Sequence, residues 1–132
     1  MQRGSILIWP KFQFHDGVRA DKLIIVLNAP SKKSVVLVTV TSKKNKRTTI
    51  PECQPEPVSF FFPAGKMYFL LDTWVVLSNQ PYVYDVEDVQ KQIDNANIKE
   101  VYVIPEQTVN AIRNCLVKNS RLLTENIKTL LK

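Results

Sequence analysis

With 132 residues and 45% apolar content, the chain has the size of one domain able to bury a core. Its longest apolar runs fall well short of the ~18 residues a membrane span needs, and one histidine with two widely separated cysteines, Cys53 and Cys115, argues against a Cys/His zinc site. The net charge of +6 is uneven: residues 1–50 carry ten Lys/Arg against two Asp/Glu, net +8, and residues 51–132 carry eight against ten, net −2.

A basic half of this kind suits a polyanionic partner, either nucleic acid or an acidic protein, and equally serves to keep a small domain soluble. "SILIW" (5–9) is too short for the apolar region of a signal peptide. Both cysteines are expected as free thiols in a reducing compartment, and the expected location is cytoplasmic.

Along the chain, "SILIWPKFQF" (5–14) reads as a strand that Pro10 breaks or bulges. "HDGV" (15–18) is a turn. "KLIIVLNA" (22–29) is a nearly continuous apolar run, the pattern of a strand buried on both faces. A short basic loop, "PSKKS" (30–34), leads to "VVLVTVTS" (35–42), β-branched almost throughout. The connection is too short for a parallel crossover, so the two strands are expected to pair antiparallel. Residues 43–57, "KKNKRTTIPECQPEP", show no apolar periodicity and read as an exposed, partly mobile loop.

"VSFFFPAGK" (58–66) is a strand ended by Pro63 and a Gly turn, and "MYFLLDTWVVLSN" (67–79) holds one or two strands, kinked at Asp72–Thr73. "PYVYDVEDVQKQIDNANI" (81–98) mixes a short strand with a helical piece carrying Val86, Val89 and Ile93 at helical spacing. "KEVYVI" (99–104) is a last strand, and Pro105 suits the first turn of a helix. Val109, Ile112, Leu116, Leu123, Ile127 and Leu130 then mark one amphipathic helix, or two broken near Asn119–Ser120. Many short strands closed by an amphipathic helix predict a mainly β (α+β) single domain over 1–132, an antiparallel barrel-like sheet with a C-terminal helix.

The order of these pieces resembles a known family. A Gly-led strand interrupted by Pro is followed by a Gly loop and a basic residue heading "LIIVL". A strand ending in "TS", a long polar loop, "DTWVVLS" and "IKEVYVIPEQTVNAIRNCL" complete the pattern. The whole is similar to the PemK/MazF-like toxins of toxin–antitoxin systems. That resemblance implies an SH3-like barrel and a homodimer. It implies a metal-independent, sequence-selective endoribonuclease that cuts single-stranded mRNA through attack of the RNA's own 2′-hydroxyl, with no cofactor. It also implies an acidic antitoxin-like partner protein.

Carried over by position, the basic residue before the buried strand is Lys22, with Arg19 three residues earlier, and the hydroxyl pair is Thr41–Ser42. These four are the expected catalytic residues. A cation stabilises charge developing on phosphoryl oxygens, and a hydroxyl donor completes the oxyanion site. His15, Asp16 and Asp21 are the candidates for moving the 2′-hydroxyl proton. Lys43, Lys44, Lys46, Arg47 and His15 are the expected nucleic-acid contacts. Where the family carries Arg–Pro, this chain has Lys22–Leu23, and lysine supplies a point charge without arginine's bidentate fork. The family's glycine before the C-terminal helix is absent as well.

Each feature also has a plainer reading. Lys and Arg in a turn solvate a loop, hydroxyls at a strand end satisfy local backbone, and Trp9 and Trp74 serve as core or interface anchors. Of the consecutive Phe60, Phe61 and Phe62, one or two belong to a core and the other to a base-stacking or protein contact. Two functional classes follow: the toxin-like nuclease, and a non-catalytic barrel that holds nucleic acid or an acidic partner. A variant of the latter poisons a protein target, such as a topoisomerase, through its C-terminal helix.

Overall fold

The computed structural model describes residues 1–31 and 33–132; Lys32, within the expected basic loop, lies outside the described residues. Among the described residues, eight strands form one antiparallel sheet: β1 (Ser5–Gln13), β2 (Arg19–Val26), β3 (Ser34–Thr41), β4 (Glu52–Pro55), β5 (Val58–Phe62), β6 (Thr73–Val76), β7 (Tyr82–Asp85) and β8 (Lys99–Val103). Three helices accompany it: α1 (Val86–Asp94), α2 (Glu106–Asn119) and α3 (Glu125–Leu130). The strand order is β4-β5-β6-β3-β2-β1-β8, with β7 alongside β3, and the sheet is not closed. This is the expected mainly β, α+β architecture with its amphipathic C-terminal helix, which breaks after Asn119 as one of the two readings required.

The continuous apolar run of β2 is explained by two cores. Ile25 and Leu27 face one, with Val36, Val38, Phe60, Phe62 and Val75, covered by Val109, Ile112 and Leu116 of α2 and Ile127 of α3. Ile24 and Val26 face the other, with Leu7, Phe12, Val35 and Leu37, covered by Val89 of α1. Alternating side chains therefore all meet apolar neighbours, and no polar residue has a place in the run. Strand β1 bulges between Trp9 and Phe12, at Pro10, and Lys11 takes a φ of 53° there. The proline lacks a ladder donor, so the pairing skips past it.

Strand β3 organises everything downstream. Its first half, Ser34 to Leu37, pairs with β7, and its end, Val40 and Thr41, pairs with Val75 and Trp74 of β6. On its other side it pairs with β2 only from Leu37 to Thr39, against Val26 to Ile24.

Two expectations are corrected and one is narrowed. Residues 43–57 are no free loop: β4 pairs with β5 from Glu52↔Phe61 to Pro55↔Val58. Buried Gln54 ties the segment down, donating to Thr48 O and Ile50 O at 2.7 and 2.8 Å and accepting from Thr48 N at 3.2 Å, while Trp74 Nε1 donates to Thr48 O at 2.7 Å. The inward residue is an amide rather than an apolar side chain, so hydrophobic periodicity does not register this strand. Residues 67–72 are a turn-rich segment, so 67–79 holds one strand, β6, the smaller of the two readings. Finally, Cys53 and Cys115 are not free thiols: they form a disulfide across 62 residues with a Cα–Cα distance of 5.5 Å, joining β4 to α2. Loop-distant cysteines meet only when the sheet brings the β4 edge under the helix, and the free-thiol basis for a reducing compartment goes with them. No described helix is long and apolar enough to cross a membrane.

Gly4 shows how tightly the ends of this sheet close. It has a φ of +94°, its N–H donates to Val26 O at 2.8 Å and its carbonyl accepts from Ile104 N at 2.9 Å. A Cβ there lies 2.7 Å from Ile104 O and 2.9 Å from Val109 Cγ2. Positive φ and backbone overlap add, so Gly4→Ala is expected to lose about 2–4 kcal/mol. Urea unfolding measures this; a loss below about 0.5 kcal/mol, the scatter of neutral surface changes, contradicts the account.

Candidate functional site

β2 and β3 pair only as far as Ile24↔Thr39, while β3 runs on against β6 through Thr41, so β2 and β3 part beyond that pair. A groove of about 550 Å³ opens at that point. Asp21, Lys22 and Leu23 of β2 form one side, Val40, Thr41, Ser42 and Lys43 the other, and the 68–71 segment with Thr73 the end wall. Val40 and Phe69 are buried in the core beneath, and Leu23 packs against it. Leu70 and Leu71 are 88% and 65% exposed, an apolar lip on a basic groove.

Five of the residues singled out in the sequence thus line one groove: Asp21, Lys22, Thr41, Ser42 and Lys43. Thr41 Oγ1 accepts the Lys43 backbone N–H at 3.1 Å, which orients the hydroxyl and leaves its own hydrogen free to donate. The Lys22 side chain borders the groove with its Nζ 5.7 Å from the ring centroid of Phe14, a cation–π contact on the outward side. Asp21 also borders it. One carboxylate oxygen accepts the Lys11 N–H at 2.9 Å and pins the β1 bulge; the other has no partner among the described residues.

The remaining candidates sit elsewhere. Arg19 is exposed and does not line the groove; its guanidinium donates to Gln13 Oε1 at 3.2 Å. Asp16 closes a local turn by accepting the Val18 N–H at 3.0 Å. His15 belongs to a separate cleft with Gln13, Phe14, Tyr82, Val83 and Tyr84. Lys44 and Lys46 are exposed on the turn beyond Lys43. Arg47 folds back, with Nη1 donating to Lys43 O at 3.5 Å, and burial lowers its pKa from the usual arginine value. Its Nε is buried without a partner, so this arginine braces the turn rather than projecting as a free phosphate ligand.

The aromatics resolve toward packing. Phe60, Phe61 and Phe62 are 3–4% exposed, which leaves none of them as a base platform. Trp74 is buried, and Trp9 is half-buried against Phe12 and Tyr84. Tyr82 lies between the second core and the surface. Burial raises its pKa above the ordinary tyrosine value, partly offset by the His15 N–H that donates to its oxygen at 3.3 Å.

The apolar wall at 68–71 is the part of the site that the sequence reading missed. Its signal was present in "MYFLLD", whose two adjacent leucines precede a charged turn residue, but an apolar run of that length reads equally well as a strand. The chain matches no model of a known protein family, and no curated protein is similar to it.

Proposed function

We propose that the chain is a toxin-like endoribonuclease that cuts single-stranded RNA without metal. The observation that carries this reading is the convergence of Lys22, Thr41, Ser42 and Lys43 on one groove where β2 and β3 part. In the cleavage step the 2′-oxygen of the RNA bonds to the adjacent phosphorus and the bond from phosphorus to the 5′-oxygen breaks. The 2′-hydroxyl proton passes to the second carboxylate oxygen of Asp21, and the departing 5′-oxygen takes a proton from water. Lys22 and Lys43 bear on the phosphoryl charge, and the hydroxyls of Thr41 and Ser42 donate to the phosphoryl oxygens. In the cell the same groove is closed by an acidic antitoxin-like protein, and the active form is a homodimer.

Incubating the protein with a long single-stranded RNA in EDTA tests the reading, in a preparation shown free of contaminating nuclease. Cutting at discrete positions is expected. RNA left intact at micromolar protein rejects the nuclease.

One observation favours a second reading, a non-catalytic barrel that holds RNA or an acidic protein. No arginine guanidinium lines the groove, and the Lys22 ammonium rests over Phe14. Salt-dependent RNA binding without cleavage is what that reading predicts.

A further inference from the structure

His15 is exposed, yet three contacts immobilise it. Its ring lies parallel to that of Tyr82, with centroids 4.0 Å apart and planes 7° from coplanar. Its Nε2 donates to Gln80 O at 2.7 Å, and its backbone N–H donates to the Tyr82 oxygen at 3.3 Å. The stack is anchored inward, where Tyr82 meets the fully buried Phe12 edge-on at 4.8 Å. A surface side chain held this way has given up its rotamer freedom before any ligand arrives.

The chemistry of this position follows from what is left unused. Nε2 donates to the Gln80 carbonyl, which fixes that edge of the ring against the protein. One face of the imidazole is covered by Tyr82, and the residue as a whole is exposed. The adjoining cleft, about 280 Å³, is lined by Phe14, Tyr82 and Tyr84 along with Gln13 and Val83. Gln13 Oε1 accepts from Arg19, which leaves the Gln13 amide hydrogens for an acceptor on a ligand's edge. Lys22 Nζ stands over the Phe14 ring at the same cleft, between it and the groove.

A flat, preordered ring face beside an amide donor and a cation fits a base and its phosphate. We propose that the face of the His15 ring away from Tyr82 is a stacking platform for one nucleobase of single-stranded RNA, with the neighbouring phosphate held by Lys22. This rests on the reading of the chain as an RNA-directed protein, and it gives His15 a binding role in place of proton transfer. The RNA then runs from the groove across Lys22 to the cleft.

The test uses an end-labelled 2′-O-methyl single-stranded RNA of mixed sequence, which binds but has no free 2′-hydroxyl to attack, followed by fluorescence anisotropy at several salt concentrations. His15→Ala is expected to weaken binding roughly 5- to 100-fold, the usual effect of removing one stacking ring. His15→Phe, which keeps a flat ring and no titratable nitrogen, is expected to bind within about threefold of the wild type. The salt dependence of His15→Ala stays parallel to the wild type, because a stack releases no counterions, whereas Lys22→Ala flattens the slope by about one ion. If the wild type binds and His15→Ala binds equally well, or His15→Phe is as weak as His15→Ala, the platform is wrong and the RNA reading stands. If the wild type does not bind at low salt, both fall.

Discussion

Thr41→Val is expected to lower RNA cleavage in EDTA by about 10²–10³-fold, the cost of removing one preorganised donor to a developing oxyanion. The expectation comes from a single geometric fact. Thr41 Oγ1 already accepts the Lys43 N–H at 3.1 Å, so its hydroxyl hydrogen is left to donate to a group in the groove that Thr41 lines. Valine keeps the β-branched shape that the end of β3 favours, so a folding defect does not explain the loss. Thr41→Ser restores the hydroxyl and is expected to recover most of the rate. The binding of a non-cleavable RNA changes little in either variant, because the interaction grows only as charge develops. A Thr41→Val protein that cuts at the wild-type rate removes Thr41 from the chemistry. Lys22→Arg is the companion measurement. It supplies a guanidinium fork at the position where the resembled family has arginine, and it is expected to keep or raise the rate.

The second large effect concerns stability. The Cys53–Cys115 bridge closes 62 residues between the β4 edge and α2. By the chain-entropy relation a loop of that length restrains the unfolded state by about 4 kcal/mol, with about 2 kcal/mol as the lower end of common experience. Reduction, or Cys53→Ser, is therefore expected to lower the unfolding free energy by about 2–4 kcal/mol. Cys53 is the better position to change: it is exposed, whereas Cys115 is buried in the first core and its substitution perturbs packing as well. Urea unfolding with and without a reductant measures the difference. Coincident curves show that the bridge contributes nothing. The bridged cysteines lie outside the groove lining, so under the proposed function a reduced protein that remains folded is expected to cut RNA at the rate of the bridged one.

The two expected effects draw on different parts of the chain, and their legibility differs accordingly. The buried run at 22–29 announced a strand with a core on both sides because apolar continuity over that length has few other solutions. Pro10 announced the bulge because a missing donor must interrupt a ladder. The break after Asn119 was one of two readings left by the helical spacing, and the chain ends α2 there with the Ser120 N–H bonded to Leu116 O. Strand β4 was hidden because its inward residue, Gln54, is held by hydrogen bonds to Thr48, Ile50 and Ser59 rather than by apolar contact. The disulfide was hidden for a related reason: pairing of two distant cysteines is a property of which edge lies under which helix.

The sequence by itself determined the local chemistry of this protein: which segments extend, which residues carry positive charge, and where hydroxyls follow the second buried strand. These follow from side-chain volume, branching and charge, which act on near neighbours. Only the tertiary structure decided which of those residues meet. The end of β2–β3 pairing at Ile24↔Thr39, with β3 running on against β6, opens the groove and brings Lys22, Thr41 and Ser42 to it. The turn before β2 sends Arg19 to Gln13 and His15 onto Tyr82, away from that groove. Where two paired strands part depends on contacts between segments far apart in the chain, and no local pattern of residues encodes it.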